Sequence, residues 1–234
     1  MHRKQIFLAI VFLASMPGAL MAQDYAFQGF VAADVLGQMH QSVRDATLKP
    51  SGGERRTAKR MAVSTGYKAS PAISANVRRQ FVDSVNELSG AQAASQVRAA
   101  LEAGDPVASW AGIVRNDGLR AGDVADAMAA YWILNWVIAN RSDNNKSQAV
   151  GVRDQMRRVV GSNAGFVRLN DAGRQEIAEV LMLNFLAQHA AYVDALRKGD
   201  EAQLQRLSTA AVKRFRNEMK LDPRRISLTN AGFS

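Results

Sequence analysis

The stretch from Asp123 to Asn140 limits the fold of this chain more than any other. Val124, Ala125, Ala127, Met128, Ala129, Ala130, Tyr131, Trp132, Ile133, Leu134, Trp136, Val137 and Ile138 make it apolar on nearly every side of a helix. Such a helix belongs in the middle of a bundle or in a membrane. Asp126 and Asn135 interrupt it, and only eight residues separate them. A spanning helix needs about 20 apolar residues. The segment is therefore expected as the central, buried helix of a globular bundle, and the rest of the chain has to surround it.

The flanking sequence has the period to do so. Ile73, Val77, Phe81, Val85 and Leu88 recur at steps of four and three, giving a helix that starts at Ser70-Pro71 and ends near Ser89-Gly90. Ser suits the cap, and Pro suits the first helical position, where no N–H is needed. A second helix, Ala91 to Ala103, turns Val97 and Leu101 inward and stops at Gly104-Asp105-Pro106. A short segment from Trp110 to Val114 closes at Asn116-Asp117-Gly118, and Gln148 to Val160 presents Val152, Met156, Val159 and Val160. Asp171 is placed to cap a long helix reaching Lys198. Gly199 ends that helix, and Asp200 caps the next, whose stripe is Leu204, Leu207, Ala211, Phe215 and Met219. So short a joint predicts an antiparallel hairpin. Beyond Pro223, Ile226 to Thr229 reads as an extended tail, and no segment alternates as a sheet requires. The expected fold is all-α: one compact bundle of about six helices over 70–234 with a central apolar helix.

Residues 23–69 read differently. Val31, Val35, Met39 and Val43 suggest a short helix, weakened by Gly29 and Gly37. Lys49-Pro50-Ser51-Gly52-Gly53-Glu54-Arg55-Arg56 combines turn formers with like charge, the composition of a disordered basic linker.

Gly118-Leu119, Asp123 to Ala127, Tyr131-Trp132, Trp136 and the terminal Leu228-Thr229-Asn230-Ala231-Gly232-Phe233 resemble a family of exported bacterial helical proteins classed as a domain of unknown function. The resemblance spans roughly Ser70 to Phe233. It implies one helical domain behind a signal peptide and a variable basic linker, with no established activity to carry over.

Residues 1–22 have the order of a secretory signal: His2, Arg3 and Lys4, then the apolar run Ile6 to Ala14, then Pro17-Gly18 and a small residue, Ala22, at the expected cleavage point. Export by the Sec route to the periplasm or beyond is the expected destination, since Arg3-Lys4 is not a twin-arginine pair. No transmembrane segment is expected once the signal is removed. The chain has no cysteine, which excludes disulfides, thiolate metal sites, a cysteine nucleophile and lipid attachment at an N-terminal Cys. The formal net charge of +9 is concentrated in two places. Six basic residues against one acidic lie from Lys49 to Lys68, and nine against four lie from Arg197 to Ser234.

Candidate functional residues are few. No HExxH, Walker, GxSxG or calcium-loop pattern occurs, so no metal or cofactor is expected. Arg206, Lys213, Arg216 and Lys220 line the helix face opposite Leu207, Ala211 and Phe215. A basic amphipathic helix docks on anionic envelope material or on an acidic protein partner, or is simply a solvated face. Nucleic acid is not expected, because no aromatics interleave with the basic residues.

Tyr131 and Asn135, one turn apart, could form a pocket with Asn184 and His189, or serve as core with a buried polar partner. Asp123 with Asp126 and Glu176 with Glu179 share helix faces. Asp126 and Glu179 would be the carboxylates of a cell-envelope hydrolase; the plainer reading is capping and solvation. The leading expectation is a non-catalytic binding domain, with the hydrolase as its alternative.

Overall fold

The computed structural model describes residues 33–48 and 63–234. The expected signal segment and the part of the basic linker within 49–62 lie outside the described residues. The helices are α1 (Ala33–Leu48), α2 (Pro71–Glu102), α3 (Pro106–Val114), α4 (Val124–Asn140), α5 (Lys146–Ser162), α6 (Ala164–Val167), α7 (Asp171–Lys198) and α8 (Glu201–Met219). Two-residue strands β1 (Leu228–Thr229) and β2 (Gly232–Phe233) end the chain. The fold is all-α in class, as the periodicity requires.

Helix α4 occupies the centre. All of it is buried except Trp136 and Asn140, and α5, α7 and α8 pack around it. Asp123 caps its start by accepting from the Ala125 amide, and Arg141 ends it in the left-handed conformation. The largest enclosed side chains include Trp110, Trp132, Tyr131, Phe166 and Phe215. Trp132 meets Phe215 edge-on with centroids 5.0 Å apart.

Gly90, at φ 83° and ψ 171°, divides α2 where the sequence placed a helix end. Its two arms enclose a second apolar cluster, in which Val77, Phe81, Val85 and Val97 meet Val180 and Leu183 of α7. Ser70 does not cap α2 with its side chain. Gln175 of α7 holds its backbone instead, accepting from the Ser70 amide at 2.7 Å and donating to the Ser70 carbonyl at 2.9 Å.

Asn170, one residue earlier than expected, caps α7 through the Gly173 amide. Asn145 and Gln148 form a reciprocal capping box, which moves the start of α5 forward to Lys146. Asp200 caps α8 as expected, through the Gln203 amide.

Two features depart from the sequence reading. First, α1 belongs to the packed unit: Leu36, Met39 and Val43 join the main core, and Asn163 donates to Ser42 at 3.1 Å. The compact body therefore begins well before residue 70. Second, the extended tail closes into a hairpin, with Leu228 opposite Phe233.

That hairpin lies on α5. Gln155 accepts from the Phe233 amide and donates to its carbonyl, and Gln148 donates to the Leu228 carbonyl. Gly151 permits the approach, since a Cβ there would overlap the Asn230 carbonyl. Phe233 then reaches the Trp132 ring, centroids 5.9 Å apart. These contacts give the terminal Gly-Phe a role in the core. Two-residue strands leave no alternation to read, and side chains from α5 satisfy the backbone that a wider sheet would otherwise serve.

Candidate functional site

Helix α8 separates its two faces cleanly. Leu204, Leu207, Ala211, Phe215 and Met219 are buried, while Arg206, Lys213, Arg216 and Lys220 are exposed. Among the described residues, Arg206 bonds only the Gln203 amide oxygen. Arg216 pairs with Asp222 at 2.6 Å, an acid that Arg224 also contacts. Burial alone would raise the Asp222 pKa, but hydrogen bonds from Arg224 and Arg216 hold it at about 2. Lys220, in the left-handed C-cap position, donates to the Asn217 carbonyl. Among the described residues, no carboxylate lies within ion-pair distance of Arg206, Lys213 or Lys220.

One further cation of α8 points inward. Arg214 is only 3% exposed and donates to Asn135 Oδ1 from α4. Asn135 in turn donates to the Tyr131 carbonyl. Sequence periodicity places Arg214 beside Phe215 on the inner half of the helix, and that position was the available signal for its burial.

The four residues expected to share a pocket do not do so. Tyr131, Asn135 and Asn184 are closed within the interior, and Asn184 donates to the Val180 carbonyl of its own helix. His189 alone lines a cleft. That cleft has a volume of about 200 Å³ and is walled by Leu134, Val137, Phe185 and Tyr192. The imidazole stacks on Phe185, centroids 5.5 Å apart, and burial lowers its pKa.

The other histidine among the described residues is internal. His40 of α1 accepts from Trp132 Nε1 at Nδ1, 3.0 Å away, which fixes a neutral imidazole with its proton on Nε2. Burial lowers its pKa to about 3.

The carboxylates divide by surroundings. Asp126 is enclosed: it accepts from the Arg120 amide and from Arg157, each at 2.9 Å. Arg157 also bonds Asp123, whose other oxygen accepts from Thr65 and the Ala125 amide. Burial and the charge of Asp123 raise the Asp126 pKa against those donors. Together these residues clamp the 63–66 segment to the start of α4, with Val124 donating to the Thr65 carbonyl.

Glu179 instead borders a cleft of about 450 Å³, shared with Tyr67, Ser70, Ser74, Arg78 and Asp105. Ser74 and Gln175 both donate to its Oε1, at 2.7 and 2.8 Å. Burial and then the charge of Glu179 raise the Tyr67 phenol well above its usual range, a hydrogen bond from Gly122 opposing them in part. Glu176, the other member of that pair, is buried without lining the cleft.

The sequence profile of a protein family matches residues 15–234, which take in the aromatic α4 and the terminal hairpin. The chain belongs to this family of unknown function, DUF6683. The match extends upstream of the resemblance read from the sequence and includes α1, in keeping with the place of α1 in the core. Neither a curated protein nor a solved structure matches the chain. DUF6683 membership carries no activity over to the chain. Among the described residues no helix is long and apolar enough to cross a membrane, and no group of three or more potential ligands gathers as a metal site.

Proposed function

We propose that this DUF6683 protein is exported and works by binding, with the outer face of α8 set against an anionic component of the cell envelope. The observation that carries this reading is the row Arg206, Lys213, Arg216 and Lys220, exposed together, with three of the four facing no carboxylate among the described residues. Fourteen residues of helix place its ends about 21 Å apart, so the face meets repeated charges better than a single small anion.

Individual exposed ion pairs contribute roughly 1 kcal/mol or less. Useful affinity therefore needs several of them together, and it falls as salt screens them. The inner stripe of α8 is committed to the core, so the helix has no apolar face to lower into lipid. Contact through it is peripheral and electrostatic.

The signal-like order of residues 1–22 puts such a surface where anionic glycans and lipid headgroups are abundant. Co-sedimentation of the purified protein with isolated envelope material tests the reading. Recovery should decline steeply with added salt and collapse in a variant carrying Arg206→Glu, Lys213→Glu and Arg216→Glu. Equal recovery of that variant would overturn it.

A further inference from the structure

We infer that the cleft between the start of α2 and the first half of α7 is a binding site for a small organic amine with an apolar body, held by Glu179. Glu179 is 4% exposed, yet among the described residues no cation lies within ion-pair distance of its carboxylate. Both protein donors, Ser74 and Gln175, reach the same oxygen, Oε1. Oε2 receives none. A buried carboxylate is costly unless a cation or a full set of donors compensates it, and each of its oxygens can accept two hydrogen bonds.

Arg78 stands one turn beyond Ser74 on the same helix but does not supply that compensation. Its Nη2 is engaged with Asp105 at 3.0 Å. The missing partner has room to come from outside, because Glu179 borders the cleft of about 450 Å³, a size typical of small-molecule sites.

The lining selects among possible cations. Pro71, Ala75, Val107 and Ala121 give the cleft an apolar surface, suited to a carbon body rather than to a hydrated ion. A metal ion would need several oxygen or nitrogen ligands, and no such group gathers among the described residues. An ammonium head carries three donors, one of which can satisfy Oε2. Tyr67 in the same lining supplies an aromatic ring, a group whose face attracts cations. An anion in this position would add like charge beside Glu179.

Titration calorimetry of the full chain tests the site with three probes of one shape: phenethylamine, 2-phenylethanol and phenylacetate. The amine should bind saturably and at least about tenfold more tightly than the alcohol, the margin expected of a charge-assisted hydrogen bond, and phenylacetate should not bind. Glu179→Gln should remove the amine's advantage. Should that variant fail to fold, Ala75→Trp, which fills the cleft from an exposed position, should block the amine. Equal binding of amine and alcohol, or amine binding unchanged by Ala75→Trp, would overturn the inference, as would no amine binding at millimolar concentration. The site stands apart from α8, so the triple charge-reversal variant should bind the amine normally, and failure here leaves the envelope-binding reading untouched.

Discussion

Arg214 of α8 and Asn135 of α4 meet inside the core, where the guanidinium donates to the amide oxygen with both residues almost entirely closed to solvent. The same amide turns its nitrogen to the Tyr131 carbonyl. Asn135 thus uses both ends, one to satisfy its own helix and one to register α8 against α4. A buried polar pair of this kind specifies alignment, because a slipped helix would leave a charge facing apolar side chains.

Replacing Asn135 with Leu should therefore cost more than its change in volume suggests. Loss of a hydrogen bond to a buried charged group is worth about 2–3 kcal/mol. In a chain of this size that is a fall of roughly 5–10 °C in the thermal midpoint, measurable by calorimetry. A midpoint within a degree of the parent would show that the contact contributes little.

Gln175 joins α7 to the start of α2 through both Ser70 backbone groups, Ser74 and Glu179. Gln175→Ala should destabilise the protein by about 1–3 kcal/mol, the cost of leaving buried backbone groups unsatisfied. The loss should be local. Hydrogen exchange should quicken through the first arm of α2 while α4 and α5 keep their protection.

The approach of the terminal hairpin to α5 depends on a missing side chain. Gly151→Ala sets a methyl group against the Asn230 carbonyl, and overpacking against backbone costs roughly 1–3 kcal/mol. The expected result is displacement of the hairpin, read as faster exchange of the Phe233 amide and a changed near-ultraviolet signal from Trp132. Both readouts unchanged would mean that the hairpin adjusts freely.

His40 ties stability to pH. Its folded pKa is about 3, lowered by burial, and the unperturbed value is 6.5. Between those values the unfolded chain binds the proton and the folded chain does not. Stability is then complete above pH 6.5 and falls by about 1.4 kcal/mol per unit as the solution is acidified toward pH 3.

His189, lowered by burial in the same sense, adds to that slope. Asp126 and Asp117, raised chiefly by burial, oppose it, because protonation relieves their buried charge. Comparison of the parent with His40→Gln isolates the histidine. Gln keeps an acceptor for Trp132 but cannot titrate, so denaturant unfolding between pH 6.5 and 4.5 should show a shallower loss in the variant. Parallel curves would refute the assignment.

Much of this architecture was legible because it repeats along the chain. The all-round apolar α4, the stripes of α2 and α8, the break at Gly90 and the cap at Asp200 follow from side-chain period and backbone preference, which are local. The exposed cationic face was legible for the same reason: on a helix, a buried stripe defines its opposite.

The sites were less legible. Tyr131, Asn135, Asn184 and His189 are compatible by type with one pocket, but three of them face helix partners in the interior and His189 faces another side of α7. Helical period gives a residue's angle on its own helix and says nothing of which neighbour lies there.

The sequence by itself determined which segments are helical, that α4 is central and which side of α8 carries charge, since these depend on spacing within a few turns. Tertiary structure alone decided that α1 completes the core, that the tail closes on Gly151, that Arg214 is buried against Asn135, and that Glu179 rather than Asp126 borders open space. Each of these joins residues far apart in the chain, and the contact is set by how whole helices pack, which no local pattern records.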